Sequence, residues 1–252
     1  MTACARLLFV LCVGLVLLAT APTADAGAVR VAVAANFSEA AKEIGAAFEA
    51  ATGHAAVFSV ASTGQLFTQI AGGAPYDVFL AADRARPQRA IVDGLADPDL
   101  RFTYAQGRLA LYSREPGLIT GPDVLDRADL GHLAIANPET APYGAAAIEV
   151  LTHLGKLTQF QGDLVRGANI AQTYQFVATG NARLGFIAAS QIAGHDGGSR
   201  WMVPAHLHDP IAQDAVLLKD AADRSTARAF LAFLKGPQAA SVLGKYGYAP
   251  GG

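Results

Sequence analysis

Along this chain, short apolar runs alternate with stretches in which apolar positions recur every three to four residues. RVAVAA (30–35), AAVFSV (55–60), DVFLAA (77–82), RLALYS (108–113), HLAIAN (132–137), DLVRG (163–167), LGFIAAS (184–190) and DAVLLK (214–219) read as strands. Residues 38–51, 64–72, 145–154 and 172–179 read as helices, and STARAFLAFLKG (225–236) and PQAASVLGKYG (237–247) close the chain as two more. Strands that are apolar throughout are buried on both faces, and their alternation with helices predicts an α/β fold with mostly parallel sheets flanked by helices. The strands suffice for two small sheets. A chain that crosses between lobes near residue 105 and returns near 207 fits the order of elements. That division gives one lobe from 27–105 and 208–252 and a second from 106–207.

The first 26 residues stand apart. One arginine (Arg6) precedes an apolar run over 7–19, and the segment ends in Ala24-Asp25-Ala26, the small-x-small pattern of a secretory cleavage site. Thirteen or so apolar residues are short of the roughly twenty needed to span a bilayer. The expectation is therefore a signal peptide over 1–26 and an exported mature chain beginning near Gly27. Both cysteines, Cys4 and Cys12, fall inside this segment, so the mature chain carries no disulfide, thiolate nucleophile or cysteine metal site. The formal net charge of −2 gives no overall pull toward nucleic acid.

The candidate chemistry lies where strands give way to helices. Asn36-Phe37-Ser38-Glu39, Ser62-Thr63-Gly64-Gln65 and Asn169-Ile170-Ala171-Gln172 each place a capping side chain three residues before Glu or Gln, the spacing of a capping box. A fourth junction, NPETAPYG (137–144), opens a helix with Pro142 in its first turn. In α/β sheets ligands bind beyond the carboxyl ends of the strands, where helix N-termini present unpaired N–H groups and a partial positive charge. The junctions offer neutral donors, Asn36, Ser62, Thr63 and Tyr143, together with main-chain amides, and no Arg or Lys. A cage of donors suits a fully deprotonated tetrahedral oxyanion, which accepts hydrogen bonds and donates none. Sulfate, molybdate and tungstate all meet that condition. Protonated phosphate would require an acceptor in the cage.

Taken together and in order, VAVAANFSEAA, ASTGQLFTQIAGGAPYDVFLAAD, RFTYAQGRLALYS, NPETAPYG, VLTHLG, LGFIAASQI and FLKGPQAA resemble the periplasmic molybdate-binding proteins of bacterial ABC importers. The resemblance implies a type II periplasmic-binding-protein fold, two α/β lobes joined by two crossover strands, with the oxyanion held between them. It also implies a monomeric receptor that delivers molybdate or tungstate to a membrane permease without chemistry on it. No cofactor is implied. Position by position it places the ligand contacts on Asn36, on Thr63 with Ser62 beside it, on Tyr143, and on the main-chain N–H of Ile170. One departure is Ala188, where a branch of the family has a tyrosine; Tyr143 is read as the relocated hydroxyl.

Other readings are less well furnished. His206-Leu207-His208-Asp209 alternates metal-ligand types but reads equally as a polar loop. Tyr174 and Trp201 read as packing residues. A secreted hydrolase is the competing class, yet the chain has no G-x-S-x-G elbow and no H-E-x-x-H helix. A carrier of another oxyanion such as sulfate is the alternative within the binding-protein class.

Overall fold

The computed structural model describes residues 26–251. The expected signal peptide, with Cys4 and Cys12, lies outside the described residues except for Ala26. The elements in chain order are β1 (Ala28–Ala34), α1 (Ser38–Thr52), β2 (Ala55–Ala61), α2 (Thr63–Ala71), β3 (Val78–Leu80), α3 (Ala85–Val92) and β4 (Ala96–Gly107). Then follow β5 (Leu109–Ser113), β6 (Leu133–Ala136), α4 (Pro142–His153), α5 (Leu157–Phe160), β7 (Leu164–Gly167), α6 (Ile170–Ala178), β8 (Leu184–Ala188) and β9 (Ser199–Met202). The chain ends with β10 (Ile211–Leu218), α7 (Arg224–Leu234), α8 (Pro237–Lys245) and β11 (Ala249–Pro250).

These strands form a six-stranded sheet ordered β11-β4-β10-β3-β1-β2 and a five-stranded sheet ordered β7-β6-β8-β5-β9. The chain leaves the first sheet at the end of β4, enters the second at β5, and comes back at β10. The strands expected from the apolar runs are present, and the two-sheet α/β architecture agrees with the sequence reading. The pairing is mixed, however. β1 pairs in parallel with β2 and β3, and β6 with β7 and β8, whereas β10 runs antiparallel to both β3 and β4, and β5 antiparallel to β8 and β9. The reason is the route of the chain: β4 carries it out of the sheet and β10 carries it back, so the two must oppose each other.

Five elements escaped the periodicity, the one-turn α5 and the two-residue β11 because they are too short to show one. β4 (ADPDLRFTYAQG) contains Pro98 and three charged residues, Asp97, Asp99 and Arg101, and much of it is only half-buried, so no apolar run marks it. α3 (ARPQRAIV) carries Pro87 and two arginines and buries only Pro87 and Ala90. β9 (SRWM) is four residues long. β10 also starts at Ile211, three residues earlier than the apolar run suggested, and all eight of its residues are buried, Gln213 and Asp214 included.

The six-stranded sheet is covered on both faces. Val29, Val31, Val33, Phe37, Ile44, Phe48 and Phe230 fill one side, and Leu66, Ile70, Phe79 and Val216 the other. The second sheet has its main core around Leu109, Leu111, Leu133, Ile135, Leu151 and Phe186. That cluster also takes in Ala34, Ala35 and Ala82 from the ends of strands in the first sheet, so the two sheets meet through small apolar residues. Tyr174 packs in this second sheet's other core, its ring centroid 6.1 Å from that of Tyr112, and Trp201 lies against the main core; both fit the packing role read from sequence.

Candidate oxyanion site

The carboxyl ends of β1, β2, β3, β6 and β7 converge, as ligand-binding ends of α/β strands do. Where they meet, Ala34, Ala35, Asn36, Ser62, Thr63, Ala82, Ala141, Pro142, Tyr143 and Ile170 enclose a void. All five residues singled out from sequence, Asn36, Ser62, Thr63, Tyr143 and Ile170, therefore line one space, three from the first sheet's side and two from the second's. The space is about 10 Å³, the size at which a cavity holds one water molecule and far below that of an organic-ligand pocket.

Each wall is built by a helix start. Ser62 caps α2 with a complete capping box: its Oγ accepts from the Gln65 N–H, and Gln65 Oε1 accepts from the Ser62 N–H at 3.2 Å and from its hydroxyl at 2.9 Å. The Ser62 proton is thus spent on the cap. Thr63 differs. Its Oγ1 accepts from the Ala82 N–H at 3.0 Å and donates to none of the described residues, so its proton is available to the void. Asn169 caps α6 by accepting from the Gln172 N–H at 3.0 Å, which puts Ile170 at the first helical position. Pro142 opens α4 as its residue type predicts. The first amides of a helix have no intrahelical carbonyl to bond, so the starts of α2, α4 and α6 supply N–H donors at this point.

The capping-box reading fails at Asn36. A 3₁₀ turn over Ala35–Phe37 comes before α1, whose N-cap is Phe37 with no side-chain cap, and Glu39 pairs with Lys42 instead. The Asn36 carboxamide turns into the protein. Its Nδ2 donates to Gln213 Oε1 at 2.9 Å and to the Tyr248 hydroxyl at 3.1 Å. Asn36 lies at the void, and both amide hydrogens of its side chain are engaged by Gln213 and Tyr248.

Behind the void lies a set of buried residues that sequence reasoning missed. Tyr104 on β4 donates to Gln213 Oε1 at 3.0 Å, Gln213 Nε2 lies 3.3 Å from the Tyr143 hydroxyl, and Tyr248 donates to the Asn36 carbonyl at 2.7 Å. Gln213 is wholly buried. A glutamine just ahead of the apolar run of β10 is the one sequence signal for it, and that run begins one residue after it. Burial pushes the phenols of Tyr104, Tyr143 and Tyr248 well up from the ordinary tyrosine value, so all three hold their protons at neutral pH.

No arginine or lysine lines the void. The guanidinium of Arg86 stands at the edge of the cleft, paired with Asp83 and donating to the Glu139 carbonyl across it at 2.8 Å. Two further bonds join the sheets: the Gly64 N–H to the Thr140 carbonyl at 2.8 Å, and the Ser190 hydroxyl to the Asn36 carbonyl at 2.9 Å. A Cβ on Gly64 would lie 2.9 Å from Thr140 Cα, so this glycine serves the close approach of the opposite wall. Gly144 of the APYG run is needed for packing, since a Cβ there would sit 2.2 Å from the Ala136 carbonyl oxygen. Ala188 is fully buried at the end of β8 and does not line the void.

The His206–Asp209 segment forms part of the return toward β10: the Asp209 N–H bonds Glu149 at 2.7 Å, and His208 Nδ1 sits on the Asp209 carbonyl. Among the described residues no group of three or more His, Cys, Asp or Glu is placed to hold a metal ion, and no helix is long and apolar enough to cross a membrane.

Residues 29–249 match the family of bacterial extracellular solute-binding proteins. The molybdate-binding protein ModA of Rhodobacter capsulatus is 52% identical over 225 residues, covering 89% of each chain. ModA of Azotobacter vinelandii is 48% identical over 229 residues, covering 89% of this chain and 91% of its own. The solved Azotobacter vinelandii periplasmic molybdate-binding protein superposes with a TM-score of 0.86 at 40% identity, over 88% of this chain and 98% of that one. The two mixed sheets flanked by helices are thus a fold shared with that relative, and this chain belongs to the family of bacterial extracellular solute-binding proteins.

Proposed function

We propose that this chain is an exported receptor that captures molybdate, and tungstate with it, between its two lobes and delivers it to the membrane permease of an ABC importer. The observation that carries this reading is the composition of the void: hydroxyl and amide donors from three helix starts, no carboxylate and no fixed cation. Such a lining rewards an ion that only accepts hydrogen bonds, and it draws affinity from preorganised donors rather than net charge. The molybdate-binding relatives at about half identity support the choice of ion. The direct contacts in this reading are the Thr63 hydroxyl and amide, the Tyr143 hydroxyl and the Ile170 amide, with Ser62 as the cap that holds Thr63 in place and Asn36 as a wall.

A four-oxygen ion needs more room than the enclosed space, and the lobes supply it by hinging about β4 and β10. The lobes in this reading are 27–105 with 208–252, and 106–207. The receptor acts as a monomer in the periplasm after removal of residues 1–26, and the ion is ligand, not cofactor. Calorimetry on ligand-stripped protein with molybdate, tungstate, sulfate and phosphate tests the proposal. Molybdate and tungstate should bind, and molybdate at a hundred times its Kd should raise stability by about 2.7 kcal/mol, or roughly 5–10 °C in Tm for a chain of this size. Tight sulfate binding with no molybdate heat would overturn the choice of ion.

A further inference from the structure

The bonds behind the void have a direction, and one carbonyl fixes it. The Asn36 main-chain oxygen can only accept, and the Tyr248 hydroxyl donates to it at 2.7 Å. A phenol has a single proton, so the Tyr248 oxygen is left as an acceptor. It receives one N–H of the Asn36 side chain at 3.1 Å, which fixes that carboxamide with its nitrogen inward. The other N–H goes to Gln213 Oε1 at 2.9 Å, where the Tyr104 hydroxyl also donates at 3.0 Å. With its oxygen held there, Gln213 must present its nitrogen to Tyr143, 3.3 Å away. An amide nitrogen only donates, so the Tyr143 oxygen accepts and its own proton is free for the void. The reversed orientation would set the Asn36 side-chain oxygen against a Tyr248 oxygen whose proton is already taken.

We propose that Tyr248, Asn36 and Gln213 are positioning residues that dictate the proton direction of Tyr143, and thereby make the site prefer oxyanions bearing no proton over those that bear one. Were the chain of bonds reversed, Tyr143 would give its proton to Gln213 and show the void a lone pair. That lone pair would repel molybdate and welcome the hydroxyl of hydrogen phosphate or hydrogen arsenate. Two of these three positioning residues, Gln213 and Tyr248, do not line the void, and the third, Asn36, is a wall whose carboxamide turns away to bond them. The inference rests on the oxyanion-receptor reading and adds to it the source of discrimination.

The test uses the purified mature protein, with molybdate, sulfate and hydrogen phosphate titrated at pH 7.5 into wild type, Tyr248→Phe, Gln213→Met, Tyr143→Phe and the Gln213→Met/Tyr143→Phe pair. Thermal melts accompany each variant. Tyr143→Phe should weaken molybdate about tenfold or more, the loss of one donor to a charged acceptor. Gln213→Met should weaken it several-fold alone, yet by less than about twofold in the Tyr143→Phe background, because its effect passes through the missing proton. Tyr248→Phe should lower the molybdate-to-phosphate affinity ratio by about tenfold or more, a change that general loosening of the fold would not produce. Wild type needs no mutation to bear on the matter: hydrogen phosphate bound within tenfold of molybdate overturns the inference. So does an additive double-mutant cycle, or an unchanged ion ratio in Tyr248→Phe. If wild type binds no tetrahedral oxyanion at all, the receptor reading itself falls, whereas molybdate binding with an additive cycle removes only the inference.

Discussion

Gly64→Ala separates closure of the cleft from stability of the fold. Gly64 occupies the second position of α2, and its N–H bonds the Thr140 carbonyl across the cleft at 2.8 Å. A methyl group there would come within 2.9 Å of Thr140 Cα and 3.0 Å of its carbonyl oxygen, both main-chain atoms that cannot swing aside. A misfit of this kind costs about 1–3 kcal/mol where tightly packed surfaces meet. The cost falls only on the closed arrangement, since Thr140 belongs to the opposite wall. Within α2 itself alanine is the better helix former, by up to about 1 kcal/mol. Ligand-free Gly64→Ala should therefore melt at or slightly above the wild-type temperature while binding molybdate roughly 5- to 150-fold more weakly. Calorimetry for the affinity and differential scanning calorimetry on the stripped protein measure the two separately. Wild-type affinity in this variant would refute the closure argument, and so would a Tm that falls in step with affinity.

Three further expectations follow from the same geometry. Ser62→Ala removes the cap of α2 and should cost about 1 kcal/mol of stability with less than about a threefold change in affinity, whereas Thr63→Val removes the free proton and should weaken binding about tenfold or more; the opposite ranking in paired melts and titrations would exchange their roles. Gly107→Ala would set a Cβ 2.1 Å from the Tyr143 hydroxyl and 2.7 Å from Gln213 Nε2, so binding should fall at least tenfold, and the stability cost should shrink in a Tyr143→Phe background where the collision with the hydroxyl, though not that with Gln213, is removed. Asp77 is buried, which raises its pKa, but bonds from Arg30 and the Ala222 N–H outweigh burial and leave it below the ordinary value. A depressed carboxylate contributes stability that is present above its unfolded pKa of about 3.9 and is lost as pH falls through the folded value. The wild-type Tm should drop as pH is taken below about 4, and Asp77→Asn should start lower at pH 7 and lose less over that interval; parallel curves would exclude Asp77 as a source of the acid sensitivity.

The strands of each sheet's centre were legible because burial on both faces demands unbroken apolar runs, as in RVAVAA and LGFIAAS. Of the elements that escaped, β4 and β9 pair with strands far along the chain, and α3 is a largely exposed helix that buries only Pro87 and Ala90. β4 gains its pairing from β10, more than a hundred residues later, and so has no need of a local apolar signature. The helix starts at Ser62, Pro142 and Asn169 were legible for the opposite reason, since a cap bonds within its own turn. Asn36 shows the limit of that logic. Its spacing to Glu39 is that of a cap, but the polar groups of Gln213 and Tyr248, 177 and 212 residues away, compete for its side chain and win it.

What the sequence by itself determined is therefore local: which residues start helices, which runs are buried, and which donor types stand at the junctions. Hydrogen bonds and periodicities that close within a few residues are written in neighbouring letters. The tertiary structure alone decided how each donor is spent. Ser62 and Thr63 are adjacent hydroxyls that no pattern could tell apart, until the Gln65 side chain claimed the proton of one and the Ala82 amide left that of the other free. The direction of the Tyr143 proton was likewise set by a carbonyl, two amides and a phenol drawn from β10, the 3₁₀ turn after β1 and the chain's last turn. A hydrogen bond's polarity depends on every partner it meets in space, and those partners come together only when the chain has folded.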